Sequence, residues 1–135
     1  MASELTGIKA LEKALDAAWV RNQVISNNIA NADTPNYKAY KVEFEDMLKE
    51  AIENQAVTGK RTSSKHLPVG MDPIDNVSIR ISRQRNTSTR LDGNNVDIDT
   101  EMANLAKNTI KYQTLVQQLS QRLARLKTVI NEGRR

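Results

Sequence analysis

The residues of this chain best equipped for chemistry are few and poorly placed for it. His66 is the sole histidine and cysteine is absent, so disulfides and thiolate metal sites are excluded, although the compartment is left open. His66 stands in a polar stretch with no carboxylates at catalytic spacing beside it, which gives neither a nucleophile's base nor a metal centre. Asp92, Asp97 and Asp99 superficially follow a calcium loop, but the twelve-residue ligand pattern with its closing Glu is missing. Turn and cap chemistry accounts for them better. Lys60, Arg61, Lys65, Arg80, Arg83, Arg85 and Arg90 make the middle of the chain basic, and the net charge is +4. That invites a nucleic-acid partner, yet no recognised binding motif or run of stacking aromatics accompanies the charges. The expectation is a chain that is not an enzyme, takes no cofactor or metal, and uses its basic middle as a solvated or subunit-facing surface rather than to bind nucleic acid.

The interest therefore moves to the elements themselves. A length of 135 residues with 39% hydrophobic and 27% charged fits one domain with a modest core. Aromatics are only 4%, with one Trp and one Phe, which favours helix-on-helix packing by Leu, Ile, Val and Ala. No apolar run approaches a membrane span. The N-terminus lacks the basic leader and continuous apolar run of a cleaved secretion signal.

Ser3 is expected to cap a first helix, with Glu4 in its first turn. Ile8, Leu11, Leu15, Ala18, Asn22, Ile25 and Ile29 follow a three-four spacing, the mark of a coiled-coil seam. A sparser stripe of Ala10, Ala17 and Val24 lies on roughly the opposite side and would let a second helix approach closely. The pattern breaks in Val24 to Lys41, V-I-S-N-N-I-A-N-A-D-T-P-N-Y-K-A-Y-K. Asn27, Asn28 and Asn31 can bond nearby backbone, and Pro35 removes a donor and pushes Thr34 toward extended backbone. The helix should end between Ile29 and Asp33.

Beyond it the period changes. Tyr40, Val42 and Phe44 predict a short extended piece, and Met47, Leu48, Ala51 and Ile52 about two and a half turns of amphipathic helix. Val57 to Pro73 reads as loop. Val77, Ile79 and Ile81 alternate with polar residues as a half-buried strand, with a second extended piece at Thr87 to Leu91 as its candidate partner. Asp92-Gly93-Asn94-Asn95 is a turn, and Asp97 or Asp99 caps the last helix. There Met102, Leu105, Thr109, Tyr112, Val116, Leu119, Leu123, Leu126 and Ile130 hold the three-four spacing without a break. At 1.5 Å per residue this seam spans roughly 42 Å against roughly 32 Å for the first. Arg122, Arg125, Lys127, Arg134 and Arg135 near the C-terminus suit either the helix dipole or an acidic neighbour.

The boundaries follow: 1–33 an N-terminal helix, 34–91 the turn and variable middle, 92–135 the C-terminal helix with its turn. The fold class is mostly α, with long terminal helices in an antiparallel coiled coil or bundle and a small irregular α/β middle. Each seam must bury its stripe to persist in water, and each Leu or Ile buried contributes on the order of 1.5 to 3 kcal/mol. A lone helix pair leaves the Ala10, Ala17, Val24 stripe and Ile110 uncovered, which points to assembly with copies of itself or with similar helices.

I-S-N-N-I-A-N-A-D-T-P-N-Y-K, closing an N-terminal heptad helix, resembles the signature of the axial proteins of the bacterial flagellum, the rod and hook family, usually A-N-x-x-T-P-G-Y. Asn27, Asn28, Ile29, Ala30, Asn31, Thr34, Pro35, Asn36 and Tyr37 carry it. Asn36 stands where the family has Gly, and Asn best tolerates the left-handed backbone after Gly, so position 36 is expected at positive φ. D-G-N-N-V-D-I-D-T-E-M, through Asp92, Gly93, Asn94, Val96 and Asp97, is similar to the segment that leads into the last helix of the proximal rod subunit. The resemblance covers both ends and hardly touches the middle.

What it implies is a structural subunit of the basal-body rod, a periplasmic tube of stacked terminal helices that links the export-apparatus side to the rest of the rod. It implies export through the flagellar type III apparatus without a cleaved signal. The implied partners are copies of itself, other rod proteins, the adaptor protein FliE and the export gate. It also implies terminal helices that order on assembly, with Ile8, Leu11, Leu15, Ala18, Ile25, Ile29, Met102, Leu105, Tyr112, Val116, Leu119, Leu123, Leu126 and Ile130 as the assembly seam. The alternatives are another rod subunit sharing the first motif and, from a different class, a basic coiled-coil nucleic-acid-binding protein.

Overall fold

The computed structural model describes residues 2–57, 74–84 and 91–132. Helix α1 runs Ala2–Ala30, strand β1 Tyr40–Glu43, helix α2 Glu45–Val57, strand β2 Arg80–Arg83 and helix α3 Ile98–Glu132. The protein is mostly α, two long terminal helices packed on each other with a small strand and helix region between them.

The terminal helices are antiparallel. Asn28 near the end of α1 bonds Glu101 at the start of α3, Asn108 bonds Ala18 and Asn22, and Gly7 lies against Arg122. The Arg122 guanidinium crosses α1 over Gly7, where a Cβ would push this flexible end aside. α1 already includes Ser3, since it begins at Ala2. α1 stops at Ala30, within the expected interval. The Asn31 side chain donates to the Asn27 carbonyl at 2.8 Å, and successive turns carry the chain past Pro35. The Asn27 carbonyl thus accepts from both the backbone amide and the side chain of Asn31 where the helix ends.

The Ala10, Ala17, Val24 stripe is not left for a neighbouring subunit. It is covered by the middle of the same chain: Ala17 and Val24 share a core with Val42, Phe44, Ala51, Ile74 and Val77, and Ala10, Ala14, Met47 and Leu48 border it. Small side chains on this face of α1 leave room for the larger core residues of the middle region, and Phe44 and Ile74, 4% and 0% exposed, each contribute about 1.5 to 3 kcal/mol of burial. Lys9 pairs with Asp75 at 2.9 Å, pinning the segment before β2 to the back of α1.

β2 pairs antiparallel with β1, with Tyr40 opposite Arg83 and Val42 opposite Ile81. Val42 turns inward to the core, so β1 supplies this edge; the expected partner was Thr87 to Leu91. Residues 87–90 lie outside the described residues, as does the expected loop from 58 to 73 with His66, Lys60, Arg61 and Lys65. Asp97 is the aspartate that caps α3. Its Oδ1 accepts the Asp99 amide at 3.1 Å, its Oδ2 the Thr100 hydroxyl at 2.7 Å, and its carbonyl the Glu101 amide. The Thr100 hydroxyl, followed by the backbone amides of Thr100 and Asp99, holds the exposed carboxyl below its ordinary range. Among the described residues no helix is long and apolar enough to cross a membrane, and no cluster of His, Asp and Glu could hold a metal.

Candidate functional site

Two segments some sixty positions apart, the turn after α1 and the stretch before α3, close on one another through asparagines. Asn28 is 1% exposed and uses its whole amide. Its Nδ2 donates to the Tyr40 carbonyl at 2.9 Å and to Glu101 Oε2 at 3.1 Å. Its Oδ1 accepts the Tyr40 amide at 3.0 Å and the Tyr37 hydroxyl at 3.3 Å. One side chain on α1 thus holds the start of β1 and the first turn of α3. Burial raises the Tyr37 phenol above its ordinary value, the nearby Tyr40 adds to this and Arg83 opposes it, so the hydroxyl stays a donor.

Asn94, 0% exposed, does the reciprocal work. Its Nδ2 reaches the carbonyls of Asn31, Ala32 and Thr34 at 3.1, 2.9 and 2.9 Å, and its Oδ1 accepts the Val96 amide at 2.7 Å. The turn left by α1 exposes carbonyls, and Asn94 collects them. Asn95 bridges the strand ends, accepting the Ala39 amide at 2.7 Å and donating to the Gln84 carbonyl at 3.0 Å. Beneath these bonds Ala32, Ala39 and Val96 form a small apolar floor with Tyr37.

Asn36 and Gly93 meet at the centre. Asn36 has φ 59°, the left-handed backbone its position called for, and Gly93 has φ 78°. The Asn36 amide donates to the Asp92 carbonyl at 3.0 Å and Lys38 donates to the Gly93 carbonyl at 2.7 Å. A Cβ on Gly93 would stand 2.7 Å from Asn36 Oδ1. Only glycine permits both the positive φ and the close approach.

The structure brings nearly all the motif residues into this junction. Asn28, Asn31, Thr34, Asn36, Tyr37, Asp92, Gly93, Asn94 and Val96 bond or pack within it, while Asp97 bonds only within the cap of α3. Asn27 contributes its carbonyl. Ile29 is half-buried on α1, while Ala30 and Pro35 are exposed.

The seam residues divide. On α1, Ala18 and Ile25 are buried and Ile8, Leu11, Leu15 and Ile29 half-buried. On α3, Leu105, Tyr112, Leu119 and Leu126 are half-buried, but Met102, Val116, Leu123 and Ile130 are 53%, 39%, 50% and 67% exposed. The row that shares the covered face with Leu105 and Tyr112 is Glu101, Asn108, Leu115 and Arg122. Because that row is mostly polar, counting apolar residues selects the row one position later. Asn108 is 3% exposed, and its Nδ2 donates to the Ala18 carbonyl and Asn22 Oδ1, both at 2.7 Å. Among the described residues its Oδ1 has no hydrogen-bond partner. A polar pair at the centre of a helix seam fixes register at some cost in stability. Asn22 was visible in the heptad pattern; Asn95, Glu101, Asn108 and Leu115 were not singled out.

On the flank toward the middle region, Glu45 joins all three helices, accepting from Arg21 at 2.6 Å and Lys111 at 2.7 Å. Partial burial opposes its ionisation, but the bonds from Arg21 and Lys111 outweigh it and hold the carboxyl down at about 2. These three line a groove of about 350 Å³ with Tyr40, Lys41, Lys107 and Asn108.

Paired terminal helices, joined through a turn of this sequence, define a rod protein of the flagellar basal body, a structural subunit. The profile of the family described as "Flagella basal body rod protein" matches residues 8–38, which is α1 and its turn. Flagellar basal body rod protein FlgB of Bacillus subtilis (strain 168) is 43% identical over 94% of this chain and 95% of its own length. FlgB of Yersinia enterocolitica is 33% identical over 98% and 100%, and FlgB of Escherichia coli (strain K12) 33% over 90% and 91%. The chain belongs to the FlgB family of flagellar basal body rod proteins.

Proposed function

We propose that the chain is a subunit of the proximal part of the rod, linking the export-apparatus side of the basal body to the rest of the shaft and passing torque along it. The observation that carries this is the junction: buried Asn28 and Asn94 bind the paired helices to the middle region through directional bonds at both ends of the chain. A load entering one half is thereby passed to the other. The exposed part of the seam, Met102, Val116, Leu123 and Ile130 on α3, supports contact with other rod subunits and copies of itself. The finer partners are the adaptor protein FliE and the flagellar type III export gate, and the location is the periplasmic rod, reached without a cleaved signal.

Site-specific crosslinking from position 123 in isolated basal bodies tests the assignment. Products with FliE or with neighbouring rod subunits are expected. Recovery of basal bodies lacking the protein would refute it, and N-terminal sequencing of the recovered chain checks the absence of cleavage.

A further inference from the structure

Strand β1 has a second edge. Antiparallel strands exchange their ladder bonds at alternate positions, and the Gln84 amide donates to the Ala39 carbonyl at 2.9 Å. Ala39, Lys41 and Glu43 therefore turn their backbone groups to β2, while Tyr40 and Val42 present theirs to the other side. At Tyr40 a side chain acts there as a neighbouring strand: Asn28 Nδ2 donates to the Tyr40 carbonyl and Asn28 Oδ1 accepts its amide. At Val42, two residues on, nothing takes this place. Among the described residues no hydrogen bond reaches the Val42 amide or carbonyl on this edge. Val42 is 4% exposed, and a backbone donor and acceptor so sheltered are normally paired.

This edge lines the groove of about 350 Å³ between β1 and the helix pair. Val24 and Ile25, 8% and 5% exposed, give the groove an apolar floor. Its far wall is α3, where buried Asn108 keeps an Oδ1 without a partner among the described residues. Arg21 and Lys111 are answered by Glu45, and Glu101 is bonded to Asn28. Lys41 on β1 and Lys107 on α3 are exposed, and among the described residues neither has an ion pair or a hydrogen bond. The groove thus joins an unpaired strand edge, an apolar floor and two uncommitted positive charges on opposite walls. A small anion answers the lysines but brings no donor for the Val42 carbonyl. A helix has its backbone groups already bonded, so it leaves the Val42 edge unmet.

We propose that this groove receives a short extended segment of another protein, acidic and carrying an apolar residue. The segment's backbone pairs with Val42 and so continues the strand that Asn28 begins. Directly paired residues share a face of a sheet, so the apolar residue opposite Val42 turns toward Val24 and Ile25. Acidic side chains of the segment meet Lys41 on one wall and Lys107 on the other. The site goes beyond the rod function and does not involve the contacts made by the exposed row of α3.

The test titrates the purified full chain with a fluorescein-labelled peptide, Thr-Glu-Val-Thr-Glu, amidated at its C-terminus. Binding is read by fluorescence anisotropy, and exchange of the Val42 amide hydrogen is followed by nuclear magnetic resonance. Saturable binding is expected, with exchange at Val42 slowed. Lys41→Glu with Lys107→Glu should weaken binding about tenfold or more through like-charge contact, with the circular dichroism unchanged because both side chains are exposed. A second measurement keeps the wild-type chain and alters the probe. The same peptide with its three central amides N-methylated should lose binding, since it has no donor left for the Val42 carbonyl. Absence of saturable binding, equal affinity for the N-methylated peptide, equal affinity of the charge-reversed chain, or equal displacement by inorganic phosphate overturns the proposal. Slowed exchange at Val42 on concentrating the chain alone places a second copy in the groove and overturns it as well.

Discussion

Asn94→Ala tests whether the junction is held by directional bonds or merely by the apolar floor beneath it. The substitution removes one donor from three carbonyls and one acceptor from the Val96 amide. The carbonyls of half-buried Asn31 and exposed Thr34 can turn to water. The Ala32 carbonyl and the Val96 amide belong to residues only 2% and 4% exposed, and they cannot. The Val96 amide left unpaired at about 1 to 3 kcal/mol, with about 1 kcal/mol for the bond lost at Ala32, gives a loss of roughly 2 to 4 kcal/mol, a large share of the roughly 5 to 15 kcal/mol that holds a domain together. Thermal unfolding followed by circular dichroism should show a midpoint lowered by about 10 °C or more. Asn94→Asp sharpens the test. It keeps an acceptor for Val96 but sets a carboxylate among three carbonyl oxygens, so its folded-state pKa is raised. Its penalty is then full at neutral pH and eases as the pH falls and the group protonates. An alanine variant within about 0.5 kcal/mol of wild type, or an aspartate variant indifferent to pH, would refute the assignment of the junction to Asn94.

Gly93→Ala should lose about 1 to 2 kcal/mol from its positive φ, with a further loss from the collision at Asn36 Oδ1. Adding Asn36→Gly should recover the collision part alone, as urea midpoints of the double-mutant cycle will show. Leu119→Asp places a charge in the covered α1/α3 face and should lower the helicity of the purified chain. Leu123→Asp, on the exposed row, should leave helicity unchanged yet block incorporation into basal bodies. Equal helicity in the two variants would contradict the division of the seam. Glu45 is held down at about 2 from 4.5, so its contribution is present above about pH 4.5 and is lost as the pH falls toward 2. For this half-exposed group solvent screening limits it to about 1 kcal/mol or less. The urea midpoint of wild type should fall between pH 5 and pH 3 by more than that of Glu45→Gln.

How far the fold was legible depended on whether a residue's role is set by its neighbours in sequence or by remote ones. The end of α1, the left-handed backbone at Asn36 and the Asp97 cap are local events, and each follows from the chemistry of a few adjacent residues. The partner of β2 was not legible, since Val42 and Ile81 are brought together by a core that includes Ile74 and Ala51. The covered face of α3 was misjudged by one residue for a related reason. Apolar counting favours Met102 and Val116, whereas Asn108 is buried because Ala18 and Asn22 offer it bonds from the other end of the chain. Likewise the stripe of Ala10, Ala17 and Val24 signalled a close neighbour correctly, but spacing alone has no means of saying that the neighbour is the same chain.

The asparagines of the junction and the exposed apolar residues on the helix pair are two sides of one constraint. Apolar burial is the largest source of cohesion available to a chain, but it is non-directional and grows with the area it covers. A subunit that keeps Trp19, Met102, Leu123 and Ile130 on its surface cannot also spend them on orienting its own halves. Orientation then falls to groups that are short, directional and fully satisfied within the chain. Asn28 and Asn94 meet that need because one amide presents donors and acceptors at fixed angles to backbone on several elements at once. Replacing them with leucines of similar size would keep burial and lose the angle. The same logic places Asn36 and Gly93 where the two segments touch: a junction defined by hydrogen-bond angles requires backbone that can turn sharply enough to bring the partners within reach, and both residues hold positive φ. Stability in the middle region comes from Phe44 and Ile74, and the angle between that region and the helices comes from amides.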